Sequence, residues 1–394
     1  MINKKISFLG LLVSSLLFSA CLIEDPLLPP APTPTPTATV SSSPKPTPTA
    51  TPKPTVTPTI SPTVSPSVSP SPSSGTLDWA EVFFSKPNDG TLEDLPEDNI
   101  DQMLVEKLKL AKKTIDIAVY EIDNQIITDA LIEAKKRGVV VRLVTDTDYM
   151  GETSITSLKA ANVPIVDDNR SAIMHNKFII IDSEYIWTGS FNATENDANK
   201  NNNNSMIIKS KELSENYTYE FNEMFNDKKF GPTSPDYIPY PLVTMSDGTE
   251  LISKFSPEND PDQLIVDEVK KAKKSIYFMA FSFTHDEIGD AMIERFKSGV
   301  EVKGLFEKTG ATTTYSEYPK MKDAGISVKL DSNSKNMHNK VIIVDGKVTM
   351  LGSFNFSANA TSSNDENLLT VRNNTTIAKT YTDEFNKLFA TGVN

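Results

Sequence analysis

His175-Asn176-Lys177-Phe178-Ile179-Ile180-Ile181-Asp182, followed six residues later by Gly189-Ser190-Phe191-Asn192, is a stretch that the chain carries twice. Its second form, His338-Asn339-Lys340-Val341-Ile342-Ile343-Val344-Asp345 and then Gly352-Ser353-Phe354-Asn355, stands 163 positions further on. In both copies four residues separate Lys from Asp and six separate Asp from Gly. Two of the chain's three histidines fall in this shared pattern, which makes accident a poor explanation. The apolar runs Ile179-Ile180-Ile181 and Ile342-Ile343-Val344 read as buried strands. On extended backbone His and Lys two apart point to the same face.

The repetition extends outward. Ala111-Lys112-Lys113-Thr114-Ile115 matches Ala272-Lys273-Lys274-Ser275-Ile276, 161 positions later. An amphipathic helix precedes each: Met103, Leu104, Leu108 and Ala111, then Leu264, Ile265, Val269 and Ala272, fall at helical spacing. Strands are expected at residues 115–120 and 276–281, and helices at 126–136 and 288–297, closed by Gly138 and Gly299. Further strands are expected at 139–144 and 300–306. Each copy ends in a helix, with Tyr217, Glu220, Phe221 and Phe225 reappearing as Tyr381, Glu384, Phe385 and Phe389. Strands alternating with helices predict an α/β protein of two similar lobes, each a mixed β-sheet flanked by helices. The expected lobes are residues 78–230 and 249–394, joined by a connector at 231–248 rich in Pro and aromatics.

The doubled motif also predicts chemistry. Two copies facing each other supply paired imidazoles, ammonium groups, hydroxyls and amides. That set suits a phosphodiester: Lys and Asn hold the non-bridging oxygens, one His attacks phosphorus and the other protonates the leaving oxygen. A metal site is disfavoured, because no His/Cys cluster is present and a neighbouring Lys repels a cation. No cofactor is called for.

The motif His-x-Lys-(four)-Asp-(six)-Gly-Ser-x-Asn, present twice, resembles the signature of the phospholipase D superfamily. The resemblance spans nearly everything after residue 77. It implies a duplicated fold with one shared active site at the lobe interface. It also implies His175 as nucleophile, His338 as general acid, and Lys177, Lys340, Asn192 and Asn355 as phosphate-binding groups, with Ser190 and Ser353 beside them. Asp182 and Asp345 are expected to support the motif structurally. Members of that family carry an acidic residue after the Asn that orients a histidine; Glu366 fits this role. The matching first-copy stretch is Asn201-Asn202-Asn203-Asn204, so an acidic partner is missing there and the two histidines are expected to be electrostatically unequal.

Other segments carry less. Lys4 and Lys5, an apolar run over residues 6–20 and the lone Cys21 have the layout of a secretory leader at residues 1–21. Leu17-Phe18-Ser19-Ala20-Cys21 resembles a bacterial lipobox with Phe18 in place of the usual Leu, which implies lipidation at Cys21. A single cysteine allows no disulfide within the chain. Residues 22–77 are dominated by Pro, Thr and Ser and read as a disordered stalk. His285 is expected as a surface or helix-cap histidine, Asp146 and Asp148 as loop or capping residues, and residues 201–204 as a solvated loop. Tyr237, Ile238, Tyr240 and Leu242 are expected to pack between the lobes, the competing reading being an apolar rim that dips into lipid.

The formal charge of −13 argues against unspecific nucleic-acid binding, which relies on neutralising phosphates. Three functions compete: a phospholipase D-type hydrolase of phospholipid head groups at the cell envelope, a metal-independent nuclease, and a non-catalytic surface binding protein. Two intact motifs oppose the third. Both motifs lie in one chain, so a monomer is expected.

Overall fold

The computed structural model describes residues 77–88, 96 and 98–394. The leader, Cys21 and the Pro/Thr/Ser segment lie outside the described residues.

Lobe 1 runs β1 (Ala80–Phe84), α1 (Ile100–Lys109), β2 (Thr114–Val119), α2 (Gln125–Lys136), β3 (Val140–Thr145), α3 (Thr153–Ala160), β4 (Ile165–Asp167), β5 (Lys177–Ile181), β6 (Tyr185–Gly189), α4 (Glu195–Asn199), β7 (Asn204–Lys209) and α5 (Lys211–Phe225). Lobe 2 runs β8 (Val243–Thr244), β9 (Glu250–Ser256), α6 (Pro261–Lys270), β10 (Ser275–Ala280), α7 (Asp286–Lys297), β11 (Glu301–Phe306), α8 (Glu317–Asp323), β12 (Ser327–Leu330), β13 (Lys340–Val344), β14 (Val348–Gly352), α9 (Ala358–Ser362), β15 (Glu366–Arg372) and α10 (Thr375–Thr391). The expected strands and helices are present within a residue or two.

The first sheet has the order β1-β7-β6-β5-β2-β3-β4, and the second repeats it as β9-β15-β14-β13-β10-β11-β12 with β8 added outside β9. Strands β2, β3 and β4 are parallel; the other neighbours in the first sheet are antiparallel. Both sheets are therefore mixed, as the alternation of elements requires. Strand β8 comes from within the expected connector, which moves the edge of lobe 2 back to Val243.

The connector corrects a second expectation. Tyr237, Tyr240 and Leu242 do not pack between the lobes; they are 55%, 37% and 50% exposed. Asn216, buried and also bonded to Ser253 of lobe 2, holds the N–H and the C=O of Tyr240, so it is the Tyr240 backbone and not its ring that is tied to the lobe boundary.

The motif glycines are dictated by the sheet. A Cβ on Gly189 would stand 2.2 Å from the carbonyl oxygen of Asn204, and one on Gly352 equally close to that of Asn367. Only Gly lets β6 and β14 turn against the strand that carries the histidine partners.

Candidate active site

The lobes meet through backbone. His175 N donates to Asp365 O (2.9 Å) and Asp365 N to Ile173 O (3.1 Å), a two-residue parallel bridge from one lobe to the other. Its symmetry mate joins His338 N to Asn202 O (2.9 Å) and Asn202 N to Asn336 O (2.8 Å). Each histidine thus sits on extended chain just before β5 or β13, fixed by the opposite lobe. Carboxylates at the ends of β3 and β11 hold the preceding residue: Asp146 accepts from Met174 N (2.9 Å) and Glu307 from Met337 N (2.6 Å). Asp146 also caps the short turn at Asp148, as expected of a capping residue.

Side chains cross over in the same way. His175 Nδ1 lies 2.7 Å from Glu366 Oε2, so the acid of the second copy orients the histidine of the first. His338 Nδ1 lies 3.0 Å from Asn203 Oδ1 and 3.5 Å from an oxygen of Asp197. Asn203 Nδ2 donates to Asp197 O and its Oδ1 also accepts from Ser190 Oγ, which fixes the amide orientation. The His338 ring proton therefore sits on Nδ1, and Nε2 is bare in the neutral ring. Residues 201–204 are not a solvated loop. All four are buried, because they bring Asn203 to His338 and Asn204 to Asn339.

Lys177 and Lys340 are each 1% exposed. Lys177 Nζ donates to His175 O (2.9 Å) and Lys340 Nζ to His338 O (2.8 Å), the one hydrogen bond each ammonium makes among the described residues. Tyr120 lies beside Lys177 and His175, and Phe281 beside Lys340 and His338. The Oδ1 atoms of Asn192 and Asn355 are buried without a hydrogen-bond partner. A buried amide oxygen left bare costs about 1–3 kcal/mol, and here it happens twice, at the matching asparagine of each motif.

Burial, then the two ammonium groups, push both histidines well below their ordinary value, so both rings are neutral at rest. Burial lowers Lys177 to about 8 and Lys340 well below its usual range. Burial raises Glu366 to about 8 against the pull of Lys177. Asp197 goes the other way: burial opposes its charge, but His338, Asn201 and the Asn192 N–H hold it below the usual carboxylate range. The two histidines are electrostatically unequal, and Asp197 supplies near His338 the charge that Asn203 lacks.

Two sequence-predicted groups play other parts. Asp182 accepts from the N–H groups of Lys112, Lys113 and Thr114, and Asp345 from those of Lys273, Lys274 and Ser275. They tie the far ends of β5 and β13 to the neighbouring strand, as expected of structural supports. Ser190 and Ser353 do not face the rim. Ser190 Oγ is spent on Asn203 and on the Asn204 N–H, and Ser353 Oγ on the Asn367 N–H beside Glu366. His285 occupies the N-cap of α7, where it pairs with Asp262 at 3.4 Å rather than lying on the surface.

The family model "Cardiolipin synthase, PLD-like domain" matches the chain twice, over residues 104–225 and 265–389. The chain belongs to this phospholipase D-like family. A phospholipase D of Rickettsia prowazekii (strain Madrid E) is 30% identical over 154 residues, which cover 39% of this chain and 75% of that protein. A mitochondrial cardiolipin hydrolase of Chlamydomonas reinhardtii is 32% identical over 124 residues, covering 32% of this chain and 55% of that one. The solved phosphatidylserine synthase of Haemophilus influenzae Rd KW20 shares the fold, with a TM-score of 0.59 at 12% identity over 78% of this chain and 85% of that one. This phospholipase D-like chain is a phosphoric diester hydrolase. One family match falls within each lobe, leaving out β1 in the first and β8 and β9 in the second, and both omit the connector.

Asp197, Asn203, Tyr120 and Phe281 were not singled out in the sequence. One signal was available for Asn203: it stands 163 positions before Glu366, the offset of the motif itself.

Proposed function

We propose that this hydrolase cleaves the head-group phosphodiester of phospholipids, with His175 as nucleophile and His338 as general acid. The observation that carries the reading is the pair of buried lysines between the histidines, whose spare N–H groups suit the non-bridging oxygens of one singly charged phosphate, with the Nδ2 groups of Asn192 and Asn355 as further donors. A phosphodiester bound there offsets the repulsion between Lys177 and Lys340. It also raises His338, which with Asp197 beside it becomes the imidazolium that protonates the leaving oxygen. The phosphoenzyme would pass its phosphatidyl group to water, or to a primary alcohol when one is supplied.

The relatives named above, a phospholipase D and a cardiolipin hydrolase, support a lipid substrate. So does charge. The rim on the His175 side carries Glu121, Asp148 and Glu152 close to the site, which opposes a polynucleotide backbone. The exposed Tyr237, Tyr240 and Leu242 offer apolar contact to a lipid surface. The test is a parallel assay on phosphatidylcholine, phosphatidylethanolamine, cardiolipin and single- and double-stranded DNA. Release of phosphatidic acid is expected; DNA cleavage without lipid turnover would replace this reading by the nuclease one.

The protein would act as a monomer at the bacterial cell envelope, held to a membrane by lipid on Cys21. Among the described residues no helix is long and apolar enough to cross a membrane. Cys21→Ser is expected to shift the protein from the membrane fraction to the soluble one and to remove the lipidated species. Unchanged partitioning and mobility would refute the anchor.

A further inference from the structure

Behind His175 the two lobes meet at three carboxylates. Glu220 and Glu223 stand one turn apart on α5 of lobe 1, and Glu258 lies between β9 and α6 of lobe 2. One oxygen from each lies within 4.8 Å of the others. Glu220 Oε1 accepts from Asn176 Nδ2 (3.2 Å), the residue between His175 and Lys177. Glu223 is 4% exposed, its Oε1 has no hydrogen-bond partner, and neither has Oε2 of Glu258. The Ser234 hydroxyl lies beside Glu223.

The second copy shows what this arrangement lacks. On α10, Glu384 stands where α5 has Glu220, and Lys387 where it has Glu223. Lys387 Nζ is 3.2 and 3.1 Å from the two oxygens of Glu384, so that copy neutralises its own charge. In lobe 1 a third carboxylate replaces the ammonium. Arg170 is committed to Asp168 and Asp365, and Lys229 is exposed.

We infer that Glu220, Glu223 and Glu258 bind one divalent cation, calcium, which clamps the two lobes behind the active site. All donors are oxygens, the preference of a hard cation, and none lies further from another than two Ca–O bonds of about 2.3–2.6 Å can span. Burial is the first cause that raises all three carboxyls, joined by Glu258 and Glu223 at Glu220, by Glu223 at Glu258 and by Asp365 at Glu223. The ion is a structural clamp, separate from the phosphate-binding lysines.

The test is calorimetric titration of calcium into the chelator-stripped full chain, with thermal unfolding followed in parallel. Expected are one calcium per chain and a rise in Tm of roughly 5 °C at calcium a hundredfold above its Kd. Glu223→Lys, which copies the second lobe, should fold, lose the calcium response and keep a high Tm in chelator. Glu258→Gln should also lose the response, and it decides the matter if Glu223→Lys does not fold. Glu384→Gln should leave calcium uptake unchanged. No uptake at calcium up to about 10⁻² M, above the range of even weak extracellular calcium modules, overturns the proposal. So does uptake that survives Glu258→Gln, or a response to magnesium alone.

Discussion

Replacing His175 with alanine is expected to lower turnover on the order of 10⁵-fold and to abolish any covalent intermediate. The ring is neutral at rest, and Glu366 holds its Nδ1, so Nε2 is the atom left to attack phosphorus. As the P–N bond forms, the bond to the leaving oxygen breaks, and that oxygen takes a proton from His338 Nε2. Water then attacks the phosphohistidine, gives its proton to the now neutral His338, and the P–N bond breaks to return His175. His338→Ala should cost a similar factor on a natural diester, and the double variant should be little worse than either, because the pair acts as a unit. The single variants separate the roles. With a p-nitrophenyl leaving group, which needs little protonation, His338→Ala should still accumulate a phosphoenzyme on residue 175, detected by mass spectrometry after an alkaline quench. An adduct on residue 338 of His175→Ala would reverse the roles, and no adduct on either residue would sink covalent catalysis.

What was legible in the sequence was what repeats. The 163-residue offset fixed the motif and the 161-residue offset the strands and helices before it, since each copy must solve the same local folding problem. Contacts across the pseudo-two-fold axis carry no such mark. Nothing local in Asn201-Asn202-Asn203-Asn204 says that its residues turn inward; four consecutive asparagines have the composition of a loop. They are buried because the neighbouring motif supplies partners, as Asn339 does for Asn204 and Asn176 for Asn367. Glu366 was identified as a histidine's partner, but its partner is the histidine 191 positions earlier, in the other lobe. Asp197 escaped for the opposite reason: the second copy has Ala360 at the matching place, so repetition hides it. The serines were misplaced because a Gly-Ser turn says where a hydroxyl is, not which buried group will claim it.

Glu366→Gln should lower turnover roughly 10³–10⁴-fold while leaving the fold intact, and it should change the shape of the pH profile. The carboxyl is raised to about 8 by burial and Lys177 is lowered to about 8 by the same cause. As a carboxylate, Glu366 accepts the Nδ1–H of His175 and leaves Nε2 with its lone pair. It also stabilises the positive ring that forms on attack. Once protonated, it donates to Nδ1, the ring proton moves to Nε2, and attack is blocked. Activity should therefore rise with pH toward about 8 as Glu366 ionises. Beyond about 8 it should fall as the buried lysines, Lys177 and Lys340, lose the protons that hold the phosphate. The active form holds opposite charges on two nearby groups that burial alone would leave neutral, so their titrations are coupled and the bell is narrow. Glutamine cannot ionise: the rising limb should vanish from kcat/KM while the alkaline fall, which belongs to the lysines, remains. Asn203→Asp puts a second carboxyl at the symmetry-related position beside His338 and should leave the Glu366 limb in place. A Glu366→Gln profile that keeps the rise toward about 8 would assign that limb to another group.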